Sequence, residues 1–334
     1  KSTENCIKLV LPCASQVFAA KVRAATRSCQ DLFVEGDIIG GGAFTAALRN
    51  HIEKRLRVVM TENAAYTVRN DLNEVRALGI EITGENPPND FDGEILTLGE
   101  IKLAQLDAFL VDVNESLSNV DIVAIAVQDH GVSPKGISNR KFRIHTMKEL
   151  LERNPRPESL AFWEDEVPFR FLRMKSAVRS SKRQLPKAKV LVMDTSPAAI
   201  FGCLEDPAVK ETDRVLTINV GNSHTMVAAM TSGRIVGLME HHTGRLDAQK
   251  LERIVVDFAN GKLSDEEVFK DNGHGLIFLT EPSGFSSIDK IVATGPNREV
   301  LANTSFSVHF AAPAGDVMMT GPVGLVEAAK QKLK

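Results

Sequence analysis

One Trp and one Tyr are all that this 334-residue chain has of those two side chains. That leaves too little flat ring surface to stack the successive bases of a single strand. Its four cysteines, at positions 6, 13, 29 and 203, contain no Cys-x-x-Cys pair. The spacing excludes a zinc ribbon, a redox dithiol and an iron–sulfur cradle, and reads as reduced thiols in a core. No stretch approaches the roughly 18 uninterrupted apolar residues of a membrane span, and the first residues lack the charged-then-apolar layout of a secretory signal. A cytoplasmic protein with no membrane partner is expected. The formal net charge of −3 is spread along the chain, so nothing electrostatic points to nucleic acid. The densest basic stretch, 170–189, reads as a solvated connector.

What is present is an ordinary globular mixture, 43% apolar and 25% charged residues. The chain is longer than a single core usually grows. Two α/β domains are expected, 1–187 and 188–334, with an irregular insertion or connector near 131–187. Strands are predicted at 6–11, 31–35, 57–60 and 121–127, and helices at 15–28, 64–77, 101–114 and 145–153. The second half resumes with a strand at 189–193 and a helix from Ser196. Three strands follow, joined by tight turns, at 215–220, 225–230 and 235–239. A helix at 247–259, strands at 289–293 and 308–311, and a closing helix complete the pattern. Both halves repeat a rhythm of strand, glycine turn and helix, which points to duplication of one α/β unit. On that symmetry, two strands belong upstream of Lys1.

Asn219, Gly221, Asn222, Ser223, His224 and Thr225 form a small-residue bend between two strands. Backbone N–H groups in such a bend can converge on an anion. Gly295, Pro296 and Asn297, at the end of a later strand, offer a second ligand-facing turn. Gly40, Gly41 and Gly42 offer a third close backbone approach, or serve only as a flexible strand-to-helix turn. Asp194, at a strand-to-helix junction, is the candidate to orient an attacking water, or a helix cap. Glu62 lies at another strand end and could supply a second carboxylate, or serve only as an acid in the first turn of a helix.

The chain resembles the actin-like superfamily of sugar kinases, heat-shock chaperone ATPases, exopolyphosphatases and acetate kinases. The segment 219–225 looks like its second phosphate hairpin, 194–202 like its first connecting helix, and 294–297 like its adenosine turn. The resemblance implies a duplicated actin-like, ribonuclease H-like ATPase fold with mixed sheets, here missing the first N-terminal hairpin. It also implies a nucleotide such as ATP, bound with Mg, as the small-molecule partner, and a possible ATPase or phosphotransferase activity. Asn219 stands where that hairpin normally carries Asp. A neutral amide adds no charge to hold magnesium, which favours a nucleotide-binding switch or assembly factor that does not hydrolyse its ligand.

More closely, the chain resembles a prokaryotic family of unknown function whose usual label names a pyruvate formate-lyase activating enzyme. The phrases GDIIGGGAFTAALR (36–49), ENAAYTVRNDL (62–72), AVQDHGVSP (126–134), VMDTSPAAIFG (192–202), NVGNSHT (219–225), GLMEHHTG (237–244) and GHG (273–275) carry that match. A radical activase needs three closely spaced cysteines for its iron–sulfur cluster, and none are present.

The histidines suggest a rival reading. His130, His224, Glu240, His241 and His274 fall at strand ends or in glycine loops, where ligands are normally met. Imidazole with carboxylate suits a transition metal, with His130, Glu240, His241 and His274 as the expected ligands of a metallohydrolase. Adjacent His241 and His242 would point to opposite faces of a continuing strand, so one is expected to serve the site while the other packs.

Overall fold

The computed structural model describes residues 10–334. The first elements are α1 (Ala14–Arg27), β1 (Asp31–Gly36), α2 (Gly42–Glu53), β2 (Val58–Thr61), α3 (Glu62–Ala65), α4 (Leu72–Ala77), β3 (Glu81–Thr83), β4 (Gly93–Leu98) and α5 (Leu103–Val111). Next come β5 (Ile122–Ala126), α6 (Asn139–Arg153), β6 (Ala161–Trp163), α7 (Leu172–Gln184), β7 (Lys189–Met193) and α8 (Thr195–Leu204). The remainder is β8 (Arg214–Val220), β9 (His224–Thr231), β10 (Arg234–His242), α9 (Ala248–Ala259), α10 (Asp265–Lys270), β11 (Gly275–Phe278), β12 (Lys290–Thr294), β13 (Val308–Phe310) and α11 (Thr320–Leu333).

These elements form two compact units that interleave in sequence. The N-terminal unit holds residues 10–123 together with Val167–Val190, and the C-terminal unit holds Ala124–Glu166 together with Leu191–Lys334. The single boundary expected at 187/188 is thus replaced by a discontinuous division. The stretch 131–187, expected to be irregular, contains α6, β6 and α7. Its proline cluster ends helices without preventing them.

The N-terminal unit is built on a parallel sheet of order β3-β2-β1-β4. Leu32, Phe33 and Val34 of β1 are fully buried, as a central parallel strand covered on both faces requires. Phe18 and Val22 of α1 and Phe44 and Leu48 of α2 pack into the same core as Leu32, Val34, Val58 and Met60. The helix expected over 64–77 is split in two, because Asp71 accepts from Asn73 N–H and starts a new helix. Strand β4 lay hidden behind the loop chemistry of 84–92; only alternate residues, Leu96 and Leu98, are buried. Of the strand expected at 6–11, residues 6–9 lie outside the described residues, while Val10 and Leu11 have no regular structure.

The C-terminal unit carries a six-stranded mixed sheet of order β11-β10-β9-β8-β12-β13. Strands β8, β9 and β10 form the expected antiparallel meander, β11 adds antiparallel to β10, and β12 and β13 run parallel to β8. Leu251, Val255 and Phe258 of α9 pack on this sheet with Leu216, Ile218 and Val227. Helices α8 and α11 meet at glycines. A Cβ on Gly202 would strike the Thr320 carbonyl, and one on Gly324 would strike the Ala198 carbonyl. A small sheet, β5-β7-β6, pairs Ala161 with Met193 and Trp163 with Leu191. The protein is therefore an α/β protein with parallel and mixed sheets.

Candidate metal centre

Four histidine rings meet in the C-terminal unit. The centroid of His224 lies 5.1 Å from that of His130, 4.9 Å from His242 and 4.6 Å from His274. His274 is itself 5.1 Å from His130 and 4.9 Å from His242. One ligating atom each from His130, His224 and His274 falls within 4.8 Å of the other two. These three residues reach one place from 94 and 50 positions apart in the chain.

Local structure explains each arrival. His130 follows β5 in a turn that Asp129 closes by accepting from Gly131 N–H at 2.9 Å, with Gly131 at φ +72°. His224 opens β9, register-paired with His242 at the end of β10. His274 sits between two glycines that have separate reasons to be there. A Cβ at Gly273 would lie 2.7 Å from the Val268 carbonyl, while Gly275 holds φ +138° with its Cβ position filled by Asp265. His274 N–H then bonds the Glu240 carbonyl at 2.8 Å.

Strand alternation decides the pair on β10. His241 is buried on the far face, with Nε2 3.1 Å from Asp271, whose carboxylate also pairs with Lys250. His242 is the one that faces the cluster. Of the ligands expected from sequence, His130 and His274 come together, His241 stays apart, and His224, expected in a phosphate bend, joins the histidines.

Glu240 stands behind His274. Its Oε2 lies 2.9 Å from His274 Nδ1, within ion-pair reach though outside strict hydrogen-bond geometry, so the carboxylate holds this ring by charge and proximity. The Gln128 carboxamide nitrogen, Nε2, lies 2.5 Å from His224 Nδ1, where an amide N–H donates to the ring lone pair.

Beneath both lies a buried ionic trio. Arg143, from the buried face of α6, donates to Glu240 from Nε and Nη2 at 2.7 and 2.9 Å. It donates to Asp194 from Nη1 and Nη2 at 2.7 and 2.9 Å, and to the Asp129 carbonyl at 3.1 Å. Asp194 also accepts from Ser196 N–H as the cap of α8 and from Asp129 N–H. Asp194 is therefore committed to a guanidinium and two amides at 3% exposure, leaving it poorly placed to orient a water.

The electrostatics favour neutral imidazoles. Burial, helped by the Arg143 charge, lowers His130 to about 2. Burial likewise lowers His224 to about 4 against the pull of Glu240, and it lowers His242. Burial alone would raise Glu240, but Arg143 and His274 overcome it and hold the carboxyl well below its usual range. Burial would lower Arg143, yet Asp194 and Glu240 keep it well above its usual range.

The other candidates are distributed as follows. In the bend at 221–224, Gly221 N–H already bonds the His224 carbonyl at 3.0 Å, and Asn222 and Ser223 are exposed. Asn219 Nδ2 donates to Ser196 Oγ at 3.1 Å, and the Thr225 and Thr243 hydroxyls meet at 3.0 Å. Asn297 bonds the same bend, N–H to the Val220 carbonyl at 3.0 Å and Nδ2 to the Gly221 carbonyl at 2.9 Å. Gly295 takes φ +96° against the Val220 backbone. Val220, Thr243, Leu246, Pro296, Asn297 and Val300 line a cavity of about 400 Å³ beside these turns.

In the N-terminal unit, the loop leading into Gly40, Gly41 and Gly42 is closed by its own chain. The N–H groups of Ile38, Ile39 and Gly40 bond Ser176, Thr67 and Glu100. Ser15 accepts from Phe44 N–H at the start of α2. The Gly40 amide is therefore already taken by the Glu100 carboxylate at 3.2 Å. Glu62 is the first residue of α3.

Residues 39–300 match the family described as "Putative pyruvate format-lyase activating enzyme (DUF1786)". The match spans most of the chain, which belongs to that family. No curated protein matches it.

Proposed function

We propose that this member of the family is a metalloprotein, with His130, His224 and His274 holding one transition ion, and that it acts as a metal-dependent hydrolase. The observation that carries the reading is the convergence of three imidazoles from separate loops, with ligating atoms within 4.8 Å of one another. A tetrahedral zinc ion would set such nitrogens about 3.3 Å apart, so small ring movements would close the set. Charge supports the same reading. Glu240 and Asp194 against Arg143 leave a formal −1 buried beside rings held neutral. A cation offsets that charge without needing a protonated histidine.

All-imidazole donors suit zinc, copper, nickel or iron rather than magnesium. Three protein ligands leave a coordination position for water or substrate, and an ion so held supplies Lewis acidity and an acidified water. The chain's part is to place the rings: Glu240 stands 2.9 Å from His274 Nδ1 and Gln128 stands against His224 Nδ1, so each ring is held from that side.

The activity in the family description does not fit these residues. Among the described residues, Cys13 and Cys29 are exposed in the N-terminal unit, and Cys203 is buried in α8 of the other, its thiol raised by burial. With Cys6 the only other cysteine, no three closely spaced thiolates exist to ligate an iron–sulfur cluster.

A second reading has its own support. The bend at 221–224 and the turn at 294–297 are hydrogen-bonded together beside a cavity. A meander followed by parallel strands is the sheet pattern of an actin-like half, so a nucleotide is the second proposed ligand, with Asn219 favouring binding over turnover.

The test is elemental analysis of protein purified without chelator, followed by hydrolysis of chromogenic phosphate and carboxylate esters before and after chelation. About one ion per chain, with chelator-sensitive turnover, is expected. Absence of stoichiometric metal after incubation with zinc, cobalt, copper, nickel and iron salts would end the metal reading.

A further inference from the structure

Arg143 connects to two of the three metal-binding histidines without touching either. A guanidinium has five N–H donors in one plane. Here all five are used: Nε on Glu240, Nη1 on Asp194 and the Asp129 carbonyl, Nη2 on Asp194 and Glu240. The Asp129 carbonyl belongs to the peptide bond that joins Asp129 to His130, so the Nη1 bond fixes the approach of that histidine. Asp194 grips the same residue from its other side, accepting from Asp129 N–H at 3.1 Å. The Glu240 Oε2 held by Arg143 Nε at 2.7 Å is also the oxygen 2.9 Å from His274 Nδ1.

We infer that Arg143 is the positioning residue of the metal centre, presetting His130 through the Asp129 backbone and His274 through Glu240. The inference rests on the metal reading above and adds to it the element that shapes the site. A rigid fork is needed because its bonds run to two carboxylates and a carbonyl in fixed directions. Lysine, with three donors on a rotating ammonium, can satisfy the charge but not the plane. Removing the guanidinium releases Glu240 to rotate and frees the turn at Asp129. The ion would then bind imidazoles that must be ordered at the moment of binding.

The experiment uses the full chain loaded with Co(II), whose visible absorption reports coordination geometry, and Zn(II) competition to obtain Kd. In Arg143→Lys and Glu240→Gln, Kd is expected to rise about 10- to 100-fold, with the Co(II) band shifted and weakened. Arg143→Ala is expected to lose more and to regain affinity when guanidinium ion is added at concentrations too low to denature. If Arg143→Ala does not fold, the isosteric Glu240→Gln variant decides. A purely structural Arg143 would lower thermal stability and leave Kd and the Co(II) spectrum of both conservative variants at wild-type values; that result overturns the inference while the metal reading stands. A wild-type chain that binds neither Co(II) nor Zn(II) overturns both.

Discussion

His241 and His242, neighbours in sequence, face opposite sides of β10: one lies 3.1 Å from Asp271, the other has its ring 4.9 Å from His224. A single substitution at each therefore separates packing from ligand chemistry. His241→Asn is expected to leave metal stoichiometry unchanged and to cost about 1 kcal/mol through the lost bond to Asp271. His274→Asn is expected to abolish stoichiometric binding. Metal analysis and denaturant unfolding of the two variants check the contrast.

Acid should release the metal and weaken the unloaded fold together. His130 is lowered to about 2 and His224 to about 4 from an ordinary 6.5, so the unfolded chain binds protons that the folded chain refuses. Their contribution is complete above about 6.5 and is lost as pH falls toward 4 and then 2. The melting temperature of metal-free protein is expected to decline below pH 6.5 and to level off above it. Replacing both histidines with Gln should flatten that slope.

Helix α11 should tolerate no side chain at Gly324, where it meets α8. A Cβ on Gly324 would overlap the Ala198 carbonyl, a backbone atom that cannot swing aside. Gly324→Ala is expected to lose about 2 kcal/mol by overpacking, read as a lower urea midpoint with an unchanged slope.

The triple-glycine loop is expected to be structural. Glu100 accepts from Gly40 N–H and takes a two-point bond from Arg173. Glu100→Ala should lower stability by about 2 kcal/mol, because it removes a two-point bond from Arg173 and the acceptor of Gly40 N–H. Metal affinity should not change. Gain of phosphate binding by the variant, measured calorimetrically, would mean that the carboxylate had been masking an anion site.

For the nucleotide reading, the exposed residue Asn222 is a better probe than Gly221. A Cβ on Gly221 would sit 2.6 Å from the His224 carbonyl and disturb the histidines as well. Asn222→Asp adds a negative charge at the tip of the bend and is expected to suppress any thermal shift caused by ATP with magnesium. The metal Kd should remain within twofold.

The meander at 214–242 was legible in sequence because its three strands are long, β-branched and punctuated by short turns, signals that do not depend on distant residues. So was the opposed pair His241 and His242, which follows from strand periodicity alone. Strand β4 was not legible, because a strand with only Leu96 and Leu98 buried looks like the loop beside it. Arg143 left one local trace. It stands at a core-facing position of α6, in helical register with Met147 and Leu151, where a charge calls for buried partners. Those partners, at 194 and 240, are set by tertiary folding, and no local pattern could name them. His224 was drawn to the phosphate bend by its glycine-rich setting; only the pairing of β9 with β10 put it beside His242.

The interleaved chain imposes an order on assembly. His130 and Arg143 leave the ribosome before Asp194, His224, Glu240 and His274 exist, and the insertion Val167–Val190 must be made in between. Long-range closure of this kind is slow. Until Asp194 and then Glu240 emerge, the nascent Arg143 lacks the two carboxylates that pair with it in the folded chain. The complete centre can form only after His274 has been made, and an ion captured there would mark a chain whose synthesis has passed that residue.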